Sequence, residues 1–253
     1  MGIRFESFVA LRYLFSRRKQ TFIYVISLMS ILGVALGVGA LVVVLGVYNG
    51  LTTDMRDKIL GANAHAIVMA HTPGAFEHAP DVTERVREAR HVTGATPFIY
   101  SEVMLSSGRG VKGIILRGIE PHSAASVVTM LQQLRAGSVA DLNQEGTPGI
   151  IIGDELANRL GLIPGSRVNM LSSSGESGAS GFKPRIRPFL VRGIFKTGMY
   201  EYDSSLAFVT LAAARDTLGL PDGFLTGVEV TVDDLFAADA IAAQLDATLG
   251  YPF

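Results

Sequence analysis

The longest uncharged stretch of the chain lies near its N-terminus and constrains the fold more than any other feature. Residues 21–53, TFIYVISLMSILGVALGVGALVVVLGVYNGLTT, are 33 consecutive positions without a charged side chain. A bilayer core needs about 20 apolar residues, so this stretch predicts a membrane-spanning helix over residues 21–52. The alternative is a signal peptide, whose apolar region of about 7–15 residues would end at a small-residue cleavage site. The stretch is too long for that alternative, and Val47-Tyr48-Asn49 is a poor cleavage site.

Charges on the two flanks of the span predict its orientation. The sequence RRK at positions 17–19 precedes the span, whereas the two basic and two acidic residues at 54–58 balance each other. The positive-inside rule therefore predicts a cytoplasmic N-terminus and an outer domain over residues 53–253. Residues 1–20 interleave apolar with basic side chains, which predicts a short helix in the cytoplasmic interface.

Small residues form two stripes on the predicted span. Ser30, Gly33, Gly37 and Ala40 fall on one stripe, and a second stripe holds three further glycines, Gly39, Gly46 and Gly50. Small residues let helices approach closely in lipid, which favours a helix packed against partners. A plain single-pass anchor is the alternative.

Composition excludes several classes of function. The formal net charge is −1, which argues against a nucleic-acid-binding protein. The chain has no cysteine, which excludes disulfides, thiolate metal sites and a cysteine nucleophile. It also contains no G-x-x-x-x-G-K-[ST] phosphate loop, G-x-S-x-G elbow or H-E-x-x-H motif. His71 and His78 flank Glu77 in a polar loop, where histidines are usually solvated, so no metal site and no cofactor are expected.

Residues 53–253 alternate strands with helices and predict an α+β domain with more strand than helix. A long hairpin is predicted around the turn Ser107–Gly110, followed by a strand and a short helix that Asp154 begins as its cap and Gly161 ends. A second hairpin is predicted at about 169–189, with a Ser/Gly-rich tip over 172–180. Its return side, KPRIRP at 183–188, alternates basic residues with proline and isoleucine. Since proline in a strand is tolerated mainly at an edge, we expect this arm to be unpaired on one side, cationic and protruding.

The segment MYEYD, residues 199–203, is the most unusual polar cluster. A catalytic interpretation would pair Glu201 with Asp203, yet no acid-base partner is evident for them. Gly198 before the cluster and two serines after it favour a connection between the strands 189–196 and 206–211. The structural interpretation is therefore preferred, and no catalytic residue is assigned.

Several of these segments closely resemble the transmembrane subunits of the bacterial lipoprotein-releasing ABC transporter, the LolC/LolE family. The most specific segment is GIFKTGMYEYDSSLAFV at 193–209. Four further segments are similar to the corresponding parts of the family: the span, ILGANAHAIV, IIIGDELANRLGL and the PRIRPF arm. The resemblance extends over essentially the whole chain. It implies a MacB-like periplasmic mixed α/β domain with a protruding β-hairpin hook after the inner-membrane helix.

The resemblance also implies partners and a non-catalytic role. Family members pair with a second LolC/LolE-type subunit, as a hetero- or homodimer, and with a LolD-like cytoplasmic ATPase. They extract lipoproteins from the membrane lipid and pass them to a LolA-like periplasmic chaperone.

Site residues follow from the same resemblance. The chaperone-binding hook and pad would include Phe182, Pro184, Arg185, Ile186 and Arg187. The lipoprotein-contacting part of the membrane helix would include Val43, Val47, Tyr48 and Leu51. The tyrosine cluster comprises Gly198, Met199, Tyr200, Glu201, Tyr202 and Asp203, and is expected to be structural.

Other interpretations stay open from the sequence. A MacB- or FtsX-type permease for another substrate or for signalling has the same architecture, and a membrane-anchored periplasmic enzyme is less favoured. The family continues into further membrane helices that this sequence lacks, so we expect the chain to be a fragment or a truncated form.

Overall fold

The structure, a computed structural model, describes residues 5–14, 21–62, 64–72, 75–78, 81–132, 134–178 and 181–253. It divides into two compact units, Met1–Arg56 and Asp57–Phe253. The basic residues at 17–19, on which the predicted orientation depends, lie outside the described residues. The orientation of the span therefore stays a prediction.

The N-terminal unit is helical. Helix α1 covers Phe5–Leu14, and helix α2 covers Thr21–Ala62, which is 42 residues. The end of α2 after Arg56 belongs to the second unit. Within α2, Phe22–Met55 is the one stretch of the described residues that is long and apolar enough to cross a membrane. The helix continues past the predicted end of the span at residue 52, and no proline interrupts TTDMRDKILGA. The glycines of both stripes, including Gly33 and Gly46, have no atom within 4 Å of the position a Cβ would take, so these faces are uncovered in the chain alone.

The second unit is a mixed sheet with helices on both sides. Its described strands are β1 (Ala66–Met69), β2 (Val92–Ser107), β3 (Gly110–Ile119), β4 (Leu134–Gly137), β5 (Gly149–Gly153), β6 (Arg167–Gly178), β7 (Gly181–Phe195), β8 (Leu206–Thr210) and β9 (Gly227–Val232). Its α-helices are α3 (Ala75–His78), α4 (Val82–Arg87), α5 (Pro121–Val127), α6 (Asp154–Leu160), α7 (Tyr200–Ser205), α8 (Leu211–Leu218) and α9 (Ala238–Leu249). Short 3-10 turns occupy Thr129–Leu131, Val139–Asn143 and Leu235–Ala237.

The strands are paired in the order β1-β9-β2-β3-β8-β5-β7-β4, and β6 pairs with both β2 and β7. Following the pairings from β2 through β3, β8, β5, β7 and β6 therefore leads back to β2. The ring is mixed, since β3–β8 and β5–β7 are parallel whereas the other four contacts are antiparallel. Long non-local pairings of this kind have no signal in the local sequence pattern.

Three apolar clusters hold the unit together. The largest includes inward side chains of the ring, such as Leu105, Leu116 and Phe189, together with Leu156 of α6 and Leu218 of α8. A second cluster lies under α5 and the first two 3-10 turns. The third packs α4 and α9 against β9.

The predicted fold class is confirmed: one N-terminal apolar helix is followed by a mixed α/β domain. The first predicted hairpin turns at Gly108-Arg109 between the paired residues Ser107 and Gly110. Gly161 ends α6 in the left-handed region, with φ +63°. The prediction that Asp154 caps α6 is wrong: Gly153 is the N-cap, and the Asp154 side chain makes no cap hydrogen bond.

Candidate partner-binding site

The second predicted hairpin is present, and its paired strands extend further toward the tip than expected. β6 and β7 pair from Arg167↔Leu190 to Gly178↔Gly181. Ser172–Gly178, expected as a loop, is therefore strand, and residues 179–180 lie outside the described residues. β6 contacts β2 only at Asn169–Leu171, and β7 contacts β5 only from Leu190 onward. The predicted one-sided pairing of the proline-containing arm is thus confirmed for the described residues.

Alternation along β7 separates the arm into two faces. Arg185 pairs with Ser172 and Arg187 pairs with Met170, and both of these partners are buried. Ile186 instead pairs with Leu171 and exposes 56% of its surface. Because neighbouring residues of a strand point to opposite faces, the arginines point toward the body while Pro184, Ile186 and Pro188 point outward. Phe182 pairs with Ser177, and its side chain lies outside the described residues.

Both arginines are bound to one residue of α8. Arg187 Nη2 lies 2.7 Å from the carboxylate Oδ1 of Asp216. Arg185 Nη1 donates to the main-chain carbonyl of Asp216 at 2.9 Å. The sequence predicts a cationic arm that protrudes from the body, whereas the structure ties both of its arginines to a residue about thirty positions away. Nothing in the local sequence around Asp216 signals this contact.

The outward face of the arm continues an apolar row across four strands. Ile186 of β7 pairs with Leu171 of β6, which pairs with Met104 of β2, which pairs with Gly113 of β3. An open groove of about 590 Å³ lies over the Leu171, Met104 and Gly113 part of this row. Pro184, Ile115 and Ser205 also line it. Glu102 is the charged residue that lines it. Sequence inspection missed Met104, Gly113 and Leu171, because only the register of three separate strand pairs brings them together.

The tyrosine cluster forms a short helix rather than an extended link. α7 covers Tyr200–Ser205, joins β7 to β8, and reaches the groove at Ser205. The buried carboxylate of Asp203 accepts hydrogen bonds from the main-chain N–H groups of Thr197 and Gly198, at 2.8 and 3.1 Å, and from the Thr197 hydroxyl at 2.9 Å. Gly198 has φ +77°, which favours glycine. Asp203 thus closes the turn before α7.

The remaining members of the cluster are divided between core and solvent. Met199 and Tyr202 pack against the second apolar cluster. Tyr200 and Glu201 are exposed. The Asp203 carboxylate is held by hydrogen bonds within the turn, so it does not form an acid-base pair with Glu201. This arrangement agrees with the structural interpretation of the cluster.

The predicted lipoprotein-contacting residues lie on α2. Val43, Val47 and Leu51 are spaced four residues apart and share a flank of the helix, with Tyr48 beside them. Each exposes more than half of its surface in the chain alone. Nothing in the described residues covers this flank.

Two charged clusters elsewhere in the second unit each contain a buried carboxylate. Asp154 contacts Arg135 and, at 3.0 Å, Lys196. Burial favours a higher pKa for Asp154, but the hydrogen bonds from Lys196 and Arg135 outweigh it and leave the pKa below its usual value. Glu229 contacts Arg117 under α5, and burial raises the pKa of Glu229 against the opposing influence of Arg117. Among the described residues no group of three or more metal-binding side chains is brought together.

Comparison with known proteins identifies the family. Residues 27–248 match the family described as the MacB-like periplasmic core domain. The chain belongs to this family.

Two curated relatives of this MacB-like chain carry the name lipoprotein-releasing system transmembrane protein LolC. The relative from Xylella fastidiosa strain Temecula1 is 35% identical over 245 residues, which cover 97% of this chain and 58% of that protein. The relative from Neisseria meningitidis serogroup B is 33% identical over 242 residues, which cover 95% of this chain and 57% of that protein. The predicted resemblance to the LolC/LolE family is therefore confirmed, and the chain spans less than three-fifths of the length of these relatives.

One solved structure shows a partial likeness to this chain. The periplasmic region of MacB from Actinobacillus actinomycetemcomitans superposes with a TM-score of 0.47 at 15% identity, covering 74% of this chain and 84% of that chain.

Proposed function

We propose that this chain is part of a permease subunit of an ATP-driven ABC transporter in the bacterial inner membrane. The subunit extracts acylated lipoproteins from the membrane and passes them to a LolA-like periplasmic chaperone. The LolC names of the relatives and the apolar helix Phe22–Met55 support this role. Its N-terminus faces the cytoplasm, and the second unit lies in the periplasm.

The observation that carries the proposal is the hairpin of β6 and β7. Its distal strands pair only with each other among the described residues, and the exposed side chains Pro184, Ile186 and Pro188 lie along it. Exposed apolar side chains on a projecting ribbon are costly to keep in water unless a partner covers them. We assign chaperone binding to Phe182, Pro184, Arg185, Ile186 and Arg187.

Energy and the membrane site come from other parts of the assembly. The sequence has no phosphate-binding loop, so a LolD-like cytoplasmic ATPase supplies the energy. A second LolC/LolE-type subunit completes the membrane cavity, and the small-residue stripes of α2 allow its helices to approach closely. Val43, Val47, Tyr48 and Leu51 contact the lipoprotein at the outer end of α2.

Binding of the purified LolA-type chaperone to the full chain in lipid nanodiscs tests the proposal. Ile186→Asp places a charge on the exposed face of the arm and should reduce chaperone affinity at least tenfold. Ile67→Asp is the matched control, because Ile67 is also an isoleucine exposed on a strand, at 53% against 56% for Ile186. Equal affinities for the wild type and Ile186→Asp would contradict the assignment of the hairpin. A lipoprotein that copurifies with the chain would separate this function from a MacB- or FtsX-type permease.

A further inference from the structure

The distal part of the hairpin has no third strand to fix its direction. Beyond Leu171 in β6, and before Leu190 in β7, the two strands pair only with each other among the described residues. An isolated two-stranded ribbon is marginally stable in water. Contacts other than strand pairing must therefore set the angle at which the hairpin leaves the ring.

Two contacts of this kind join the return strand to the end of α8. Arg185 donates to the Asp216 carbonyl at 2.9 Å, and Arg187 lies 2.7 Å from the Asp216 carboxylate. Asp216 occupies the last turn of α8, where unpaired carbonyls already carry partial negative charge. A carboxylate at this end of a helix is unfavourable by itself. The two guanidinium groups offset that charge.

The helix that carries Asp216 is firmly attached to the body. Ala214 and Leu218 belong to the largest apolar cluster, and Thr217 is buried with its hydroxyl donating to the Ala213 carbonyl at 2.7 Å. Gly219 ends the helix in the left-handed region, with φ +68°. The Arg185 guanidinium lies so close to Gly219 that an added Cβ would be 3.1 Å from Nη1. The two arginines thus connect a ribbon to a rigid element.

We propose that Asp216 is a positioning residue, which fixes the direction of the hairpin and turns its apolar edge outward. The arginines share a strand face with the buried residues Met170 and Ser172, whereas Ile186 shares the opposite face with Leu171. Holding the arginines on α8 therefore directs Pro184, Ile186 and Pro188 away from the body. The edge so presented is continuous with Leu171, Met104 and Gly113, and it fits a partner with an apolar surface.

The consequence for chaperone binding rests on the proposed function, but the tether itself does not. Because the surface is held in one orientation before binding, less conformational freedom is lost when the partner docks. Without Asp216 the hairpin samples many directions, and the apolar edge reaches the partner in only a fraction of them.

The tether is tested without any partner by measuring the direction of the hairpin. The chain has no cysteine, so Ser174→Cys and Gln244→Cys give two unique spin-label positions, one near the tip and one on α9. The full chain in nanodiscs should give a narrow distance distribution between the labels. Asp216→Ala should broaden it at least twofold. Asp222→Ala, which removes an exposed carboxylate six positions further along the chain, is the control and should leave it unchanged.

A charge exchange separates positioning from direct contact with the partner. Arg187→Glu should broaden the distribution in the same way as Asp216→Ala. Combining Arg187→Glu with Asp216→Arg should narrow it again, because the ion pair is rebuilt in reverse. Chaperone affinity should fall about fivefold to tenfold in Asp216→Ala. In the exchanged pair the distance distribution narrows again, and an affinity that stays low there would report the direct contact assigned to Arg187.

The outcomes distinguish the two proposals. The tether would be overturned by an unchanged distance distribution in Asp216→Ala, or by a distribution that stays broad in the exchanged pair. This holds for any result of the chaperone-binding measurement. A broadened distribution with unchanged chaperone affinity would overturn the positioning role for this partner. If the wild type fails to bind the chaperone but the distributions behave as expected, the proposed function fails and the tether stands.

Discussion

The main-chain carbonyl of Asp203 lies directly against Gly153, the residue that joins β5 to α6. A Cβ added at Gly153 would be 2.2 Å from that oxygen, a distance that real Cβ atoms do not reach. The atoms in the way belong to the backbone of α7, which cannot rotate aside as a side chain can. The tyrosine cluster is thus packed against the start of α6.

Gly153→Ala should therefore be strongly destabilising. Overpacking a tight contact costs about 1–3 kcal/mol and sometimes more, and we expect the upper end of this range because both neighbours are main chain. Gly113→Ala is the matched control, since a Cβ at Gly113 meets nothing within 4 Å. Thermal unfolding of the two variants in the same detergent compares them, and equal midpoints would contradict the close approach.

Asp203→Ala should destabilise the turn that precedes α7. The substitution leaves the main-chain N–H groups of Thr197 and Gly198 without their acceptor in a partly buried place. Each buried donor left unsatisfied costs about 1–3 kcal/mol, so a total loss of about 3 kcal/mol is expected. Glu201→Ala, on the exposed side of α7, should change the free energy of unfolding by less than about 0.5 kcal/mol. A larger effect of Glu201→Ala on transport than on stability would revive a functional role for that carboxylate.

Sequence patterns with a short range predicted much of this fold. The lack of charge over residues 21–53 predicted α2, and the Ser107–Gly110 turn and Gly161 were each correctly assigned. These features depend on neighbouring residues alone: on hydropathy, on turn geometry, and on a glycine with positive φ. Such signals do not require knowledge of which distant segments meet.

The features that sequence could not predict all depend on distant segments. Closure of the ring by β6 against β2 joins Asn169–Leu171 to Met104–Ser106, and neither segment signals the other. Asp154 was predicted to cap α6 because it stands at the start of the helix in the sequence. Its carboxylate instead contacts Arg135 and Lys196. The candidate site shows this most clearly, because the contacts of Arg185 and Arg187 with Asp216 join segments about thirty residues apart.

Arg117→Met should be among the most destabilising single changes on the sheet. Arg117 contacts Glu229 with both side chains less than 10% exposed, and its guanidinium carbon lies 5.6 Å from the centre of the Phe208 ring. Removing one partner of a buried ion pair leaves an uncompensated charge and costs about 3–5 kcal/mol. Combining Arg117→Met with Glu229→Leu removes both charges and should recover most of the loss in a denaturant titration. Failure to recover would show that packing against Phe208, rather than charge, dominates.

The same pair predicts how stability depends on pH. The pKa of Glu229 is raised in the folded chain, chiefly by burial, so folding favours the protonated form. This group contributes most to stability below its unfolded pKa, and the contribution is lost as pH rises through the folded pKa. The cost of Arg117→Met should therefore be larger at pH 8 than at pH 5, relative to the doubly substituted chain. A cost that does not change with pH would mean that Glu229 stays in one protonation state throughout.

The contribution of Asp154 to stability should depend on pH in the opposite direction. Burial acts to raise its pKa, but the hydrogen bonds from Lys196 and Arg135 prevail and lower it. A depressed carboxylate pKa gives stability that is present above the unfolded pKa and is lost as pH falls through the folded pKa. Asp154→Asn should thus be destabilising by about 1–2 kcal/mol at pH 7 and should match the wild type near pH 2.

The two cations that contact Asp154 are more than half exposed, so Lys196→Ala and Arg135→Ala should each cost less than about 1 kcal/mol. Their double variant should cost more than the sum, because only then is the buried carboxylate left without a cation, and simple additivity would contradict this account.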